Sequence, residues 1–336
     1  MQFLKEDVLL GINDKTLIDR KIVRGFLNNL VWGIFIVLIL VFSLSIKNFL
    51  SLENYIGIIY HSVFIGLLAI AETYVLISGN IDLSVESTAA FSAIISVWLC
   101  ASSTYASGLL LNTWLGLLIV IAAGALIGAF NAFFIVNLKI NAFLVTLGTY
   151  ILIRALAIWI SGARAMNELP AAFRFIDVKK FLNIPLMVYL MVFLYILFEF
   201  VLRRTRFGRH LFIIGGNVNA AYNFGIKVNR TLYKVFILSG MIAALTGWLI
   251  AARANGATGN TGSGFLFEVL AAIVIGGVSL SGGVGSLVGV FAGALILSSI
   301  HSALNITAAS PFITGVVRGA LILVAVSLDA LKRMFK

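Results

Sequence analysis

Long apolar stretches separated by short polar segments dominate this chain. Ten can be marked off, at 27–47, 55–77, 84–103, 113–136, 143–161, 184–202, 235–253, 264–280, 286–304 and 312–330. Each approaches the about 20 residues that carry an α-helix across the hydrocarbon core of a bilayer. The pattern predicts an all-α polytopic membrane protein with about ten transmembrane helices. A short segment (1–26) precedes a single membrane domain (27–330), and a tail (331–336) follows it. Two stretches interrupt otherwise apolar sequence: Ser78–Ser84, and the glycine-rich run Gly276, Gly277, Ser281, Gly282, Gly283, Gly285. Irregular backbone at membrane depth survives only under protein or against a wet cavity. Each stretch is therefore either a short cytoplasmic turn or part of a re-entrant or broken helix.

Composition agrees: 61% of residues are hydrophobic and 11% charged, against about 25% charged in soluble domains. The bilayer is the solvent, which excludes a soluble enzyme. The net charge of +11 would suggest nucleic acid in a soluble protein. Here its distribution points to membrane orientation, and no nucleic-acid partner is expected. With the N-terminus inside, 16 of the 24 Lys and Arg fall on the inner side and 6 on the outer, while Arg154 and Arg318 lie within spans. That is the positive-inside bias, so both termini are expected in the cytoplasm. Residues 1–26 carry both signs and lack a signal-peptide core. The one cysteine, Cys100, offers no disulfide framework.

Two polar loops are long. The outer loop 162–183 contains Pro170 and suits a short helix lying on the membrane face. The inner loop 203–234 carries Arg203, Arg204, Arg206 and Arg209, then Gly215–Ile226, which reads as a short helix fit to dock into a groove on a soluble partner. Small residues at Gly124, Gly128, Ala129 and Ala132, and at Gly285, Gly289 and Gly293, predict close helix packing.

Chemistry is sparse. No phosphate-binding G-x-x-x-x-G-K-[ST] string occurs, and Leu280–Ser281–Gly282–Gly283 stands alone as a likeness to an ATPase signature. The histidines (His61, His210, His301) are far apart in sequence and lack neighbouring carboxylates, so no metal, cofactor or catalytic residues are expected. Charges within spans raise functional hypotheses: Glu72, Asp82, Glu86, Arg154, Glu268 and Arg318. Two carboxylates among them would also suit a proton relay, which leaves an ion-coupled secondary transporter open as the alternative. Asp82 and Ser84 also suit capping of the helix that follows.

Four motifs, in order, resemble the permeases of ribose-type ABC importers. Ser78–Gly79–Asn80–Ile81–Asp82–Leu83–Ser84–Val85–Glu86–Ser87 is similar to S-G-G-I-D-L-S-V-G-S. Phe143–Leu144–Val145–Thr146–Leu147–Gly148–Thr149 with Arg154 is similar to F-x-x-T-L-G-T…R. Thr205–Arg209, Gly215–Gly216–Asn217, Ala220–Ala221 and Gly225–Ile226 follow T-x-x-G-x…G-x-N-x-x-A-A-x-x-x-G-I. Ile275–Gly276–Gly277, Gly282–Ser286 and Gly289 follow the family's last glycine motif. Asn80 and Glu86 replace glycines and Asn141 replaces a proline, and Glu86 brings a second carboxylate towards Asp82 in sequence.

The resemblance implies the permease subunit of an importer for a small sugar-like solute (a monosaccharide, a polyol or an autoinducer-2-like molecule) in the bacterial inner membrane. It implies a second permease subunit, cytoplasmic ATPase subunits that burn the ATP, and a periplasmic substrate-binding protein. It implies that Gly215, Gly216, Asn217, Ala220, Ala221, Gly225 and Ile226 couple to the ATPase. Asn80, Asp82, Ser84, Asn141, Thr146, Thr149 and Arg154 would lie near the path. The chain itself would not be an enzyme.

Overall fold

The structure, a computed structural model, describes residues 31–327 apart from 103, 311, 318, 321, 322 and 324–326. The predicted segments 1–26 and 331–336, the outermost residues of the first and last apolar stretches, and Arg318 lie outside the described residues. The helices are α1 (Val31–Ser45), α2 (Leu52–Ile77), α3 (Val85–Cys100), α4 (Thr113–Ala132), α5 (Ala142–Ser161), α6 (Ala171–Val178) and α7 (Leu186–Arg204). They continue as α8 (Arg206–Gly216), α9 (Val218–Asn223), α10 (Val228–Ala254), α11 (Phe265–Ile275) and α12 (Leu287–Ile306), and residues 312–317 are helical again. One π-helical turn, Phe133–Asn137, prolongs α4. Among the described residues, four two-residue strands make two small antiparallel pairs: β1 (Met166–Asn167) with β4 (Gly256–Ala257), and β2 (Lys180–Phe181) with β3 (Ile184–Pro185).

Among the described residues, six helices are long and apolar enough to cross a membrane: α2, α4 with its π turn, α5, α7, α10 and α12. The molecule is a multi-pass membrane protein. At 1.5 Å per residue, α3 is about 24 Å and α11 about 16 Å long, both shorter than a hydrocarbon core of about 30 Å. These two short helices adjoin the interrupted stretches of the sequence.

Apolarity does not decide which helix lies inside, because lipid tails are as apolar as leucine. In α2 and α10, 78% of the apolar window is buried, against 22% in α5 and 28% in α7. α5 and α7 turn Ile151, Trp159, Phe193, Ile196 and Phe200 outward. Small residues decide the centre. Gly124 of α4 and Gly240 of α10 face each other so closely that a Cβ on either would collide with the other's backbone carbonyl, and Gly128 meets Phe236 in the same way. Gly289 and Gly293 of α12 meet the backbones of Gly276 and Ala272 at α11. The predicted stripes are thus packing surfaces, except that Gly285 precedes α12 and sits against the side chains of Ile77 and Val278.

At one end of the bundle, the loop 162–183 holds the short helix α6. Its Phe173 is fully buried with ring centroids 4.7 Å from Trp248 of α10, and β1–β4 ties this loop to the segment after α10.

Candidate functional site

The two interrupted stretches meet at the opposite end. α2 stops at Ile77, and its last carbonyl accepts the Gly283 N–H at 2.9 Å. Gly79 (φ +80°) and Gly282 (φ +86°) adopt left-handed backbone that glycine alone enters without strain, and a Cβ on Gly282 would lie 2.8 Å from the Gly79 Cα. Gly215, at the C-terminal end of α8, closes the knot. A Cβ there would collide with the Ile77 carbonyl oxygen and approach the Gly283 nitrogen to 2.6 Å. The polar loop is therefore in backbone contact with both breaks.

After Gly79 the chain turns back into the protein. The Asp82 N–H donates to Glu72 Oε1 at 3.1 Å, ten residues earlier on α2. The Asp82 carboxylate is fully buried and accepts from the Ser84 N–H (3.0 Å), the Ser84 hydroxyl (2.5 Å) and the Ser239 hydroxyl of α10 (2.9 Å). Ser84 Oγ accepts from Asn131 Nδ2 of α4 at 2.9 Å, and Thr149 Oγ1 of α5 donates to Asn131 Oδ1 at 2.7 Å. One buried polar chain thus links α2, the break, α10, α4 and α5. Buried polar groups in an apolar medium persist when they are satisfied in this way.

Of the sequence-derived path residues, Asp82, Ser84 and Thr149 share this chain. Thr146 is buried beside it and donates to the Ala142 carbonyl at 2.8 Å. Asn80 is half-buried and bonds locally to Ser78. Asn141 stands apart and exposed, and its side chain accepts the Phe143 N–H at 2.9 Å as the N-cap of α5. Its φ of −56° is one that proline also adopts. Ser84 makes no side-chain cap to α3. Asp82 receives the Ser84 N–H instead. Sequence reasoning missed Asn131 and Ser239; a polar residue in a run of small apolar ones was the available signal.

Arg154 belongs to a second constellation. Its Nη2 donates to Glu86 Oε1 at 2.5 Å, and its Nη1 donates to the carbonyls of Gly259 (3.1 Å) and Thr261 (3.0 Å). Glu86 Oε2 accepts the Leu266 N–H at the start of α11 at 2.8 Å. Glu86 is thus committed to Arg154 and α11 rather than to Asp82.

Two of the three histidines, remote in sequence, meet in the fold. Helix packing brings His61 of α2 and His301 of α12 into a stack with centroids 4.0 Å apart, and Glu268 of α11 lies 3.8 Å from His61 Nε2. Packing of α2, α11 and α12 makes neighbours of residues that are remote in sequence.

The polar loop 203–234 forms α8 and α9. Ile214, Ala221, Ile226 and Val228 make a small cluster of their own, and Asn217 caps α9 by accepting the Ala220 N–H at 3.0 Å. Gly225 makes the turn after α9 at φ +71°. The coupling candidates therefore divide. Gly215, Ala221 and Ile226 pack inward, Ala220 is half-buried, and Gly216, Asn217 and Gly225 are exposed beside Val218 (43%), Tyr222 (53%) and Phe224 (77%). A cavity of about 440 Å³ adjoins them, lined by Arg206, His210, Lys227, Arg230 and Lys234 among others.

Residues 54–326 match the family described as the branched-chain amino acid transport system / permease component. The chain belongs to this family. Among its relatives, the probable ABC transporter permease protein YphD of Escherichia coli K12 is 38% identical over 296 residues, covering 86% of this chain and 85% of that one. The L-arabinose transport system permease protein AraH of the same organism is 35% identical over 312 residues, 90% of each. The ribose import permease protein RbsC of Bacillus subtilis is 34% identical over 302 residues, covering 89% and 91%. No solved structure gives a significant match. The chain is a permease component, not an enzyme, and ATP hydrolysis in such importers belongs to a separate subunit.

Proposed function

We propose that this permease carries a small sugar-like solute, such as a monosaccharide, a polyol or an autoinducer-2-like molecule, across the bacterial inner membrane. Two permease subunits, identical or related, would act with cytoplasmic ATPase subunits and a periplasmic binding protein. The printed functions of the arabinose and ribose relatives support the solute class. In this reading both termini are cytoplasmic, residues 27–330 form one domain of about ten spans, and α8–α9 is the coupling element. The observation that carries the reading is the exposed apolar rim of α9 and its C-cap (Val218 and Tyr222, then Phe224) on a hairpin whose Gly215 touches both helix breaks. Force on α9 would reach the breaks through backbone contact, with no slack side chain between. The polar chain from Asp82 to Thr149 then lies where the moving parts meet, with Asn80, Thr146 and Arg154 nearby as polar contributors to the path.

The test is reconstitution of the chain in lipid vesicles with its cognate ATPase and binding-protein subunits. ATP-dependent uptake of a sugar is expected. Phe224→Asp with Tyr222→Asp should abolish co-purification of the ATPase while the permease still folds. Uptake driven by a pH gradient without ATP would overturn the proposal in favour of ion coupling. ATPase binding unaffected by the double substitution would remove the docking role.

A further inference from the structure

We propose that His61, His301 and Glu268 form a binding site for a single divalent transition-metal ion such as Zn²⁺ or Co²⁺. The three side chains come from α2, α12 and α11, and their ligand atoms all lie within 4.8 Å of one another. Glu268 is buried, and both histidines are half-buried. Two imidazoles and a carboxylate form a donor set suited to such ions, whereas Mg²⁺ and Ca²⁺ prefer oxygen alone.

The surroundings support ligation. His61 Nδ1 faces Ser298 Oγ at 3.4 Å, and His61 Nε2 faces Glu268. A ligating histidine is commonly oriented in this way, with one ring nitrogen held by a hydrogen-bonding partner and the other left for the ion. A cavity of about 240 Å³ borders the histidines, lined by Tyr60, Arg253, Ser298, Ser302 and Asn305 as well. It leaves room for water or an exogenous ligand in a further coordination position. A tetrahedral ion with bonds of about 2.0–2.1 Å holds its donors about 3.3 Å apart. The imidazoles are now stacked, 12° from parallel, and no ion can lie in the planes of two stacked rings. Binding therefore turns at least one ring about its Cβ–Cγ bond, out of the stack and towards Glu268. An ion so held joins the N-terminal half of α2 to the first turn of α11 and the last turns of α12. None of these residues lies in the polar chain around Asp82.

The experiment uses the full-length permease in detergent or nanodiscs, with any polyhistidine tag removed, titrated with Co²⁺ by absorption and with Zn²⁺ by calorimetry. One ion per chain is expected, with Co²⁺ giving the visible bands of a low-coordinate nitrogen–oxygen site. His61→Ala with His301→Ala should abolish binding, Glu268→Gln should weaken it at least ten-fold, and His210→Ala should leave it unchanged. His61→Asn and His301→Asn, checked for monodispersity, replace the alanine variants if those misfold. Absence of stoichiometric binding by the unsubstituted protein at about 100 µM ion would overturn the site. So would binding that survives removal of both histidines.

Discussion

Glu86 and Glu199 each accept a backbone N–H from the start of a helix, and each is paired with an arginine, yet their surroundings are opposite. Glu86 takes the Leu266 N–H of α11 at 2.8 Å and Arg154 at 2.5 Å, with side-chain exposures of 3% and 13%. Glu199 takes the Leu287 N–H of α12 at 2.9 Å and Arg203 at 3.0 Å, with exposures of 21% and 47%. Both place negative charge at the positive end of a helix dipole. Arg203 also reaches the Gly285 carbonyl at 3.0 Å, as Arg154 reaches those of Gly259 and Thr261. The chemistry is nearly repeated, so burial is the variable. When one partner is removed from the buried clamp, the other is left desolvated. In the other clamp, water can take the vacated place.

Glu86→Gln is therefore expected to have the largest effect. Breaking a buried pair from one side costs about 3–5 kcal/mol, which would lower the unfolding midpoint in detergent sharply. The Glu86→Gln, Arg154→Met double variant should cost less than the sum of the single changes, because neither buried charge then survives alone. A Glu86→Gln protein as stable as the parent would erase the distinction between the clamps.

Glu199→Gln comes next. It weakens an N-terminal contact to α12 of the kind worth about 0.5–2 kcal/mol. Arg203→Ala should cost less again, under about 1 kcal/mol, since half-exposed ion pairs contribute little. Raising the salt concentration should shrink the Arg203 effect and leave the Glu86 effect in place, because screening acts on exposed charge. Thermal unfolding of both variants at low and high salt checks this.

Glu86 could be flagged from sequence as an in-span charge, but its partner could not. The pairing with Arg154 depends on how α3, α5 and α11 cross, and single-chain periodicity carries no crossing angle. The helices themselves were legible because the bilayer demands long apolar runs. Their ends were less so. The apolar stretch 264–280 yields a helix over Phe265–Ile275 only, since buried turn residues such as Val278 are as apolar as helical ones. Conversely, α10 begins at Val228, seven residues ahead of its apolar stretch, because Asn229, Arg230 and Lys234 extend the helix beyond the apolar run. In the candidate site, Asp82 stood out as a charge among apolar neighbours. Asn131 and Ser239 did not, and their role emerged only when Gly124 and Gly240 were seen to bring α4 and α10 into backbone contact.

A third ion pair joins a buried carboxylate to a half-exposed arginine and sharpens the comparison by pH. Asp177 of α6, outside the membrane-spanning helices, is 3.5 Å from Arg253, with side-chain exposures of 6% and 48%. Burial pushes the Asp177 carboxyl above its ordinary range, and Arg253 pulls it back only in part. A carboxyl whose pKa is raised by folding binds its proton more tightly in the folded state. Its contribution to stability is therefore greatest at low pH and declines as pH rises from the ordinary aspartate value of about 3.9 through the raised one, then stays level. Asp177→Asn should flatten this decline in the unfolding midpoint across the acidic range. At neutral pH its effect should be the smallest of the set, because the lost pairing with half-exposed Arg253 is offset by relief of a buried charge. An unchanged pH slope in Asp177→Asn would mean that burial does not rank these pairs as argued.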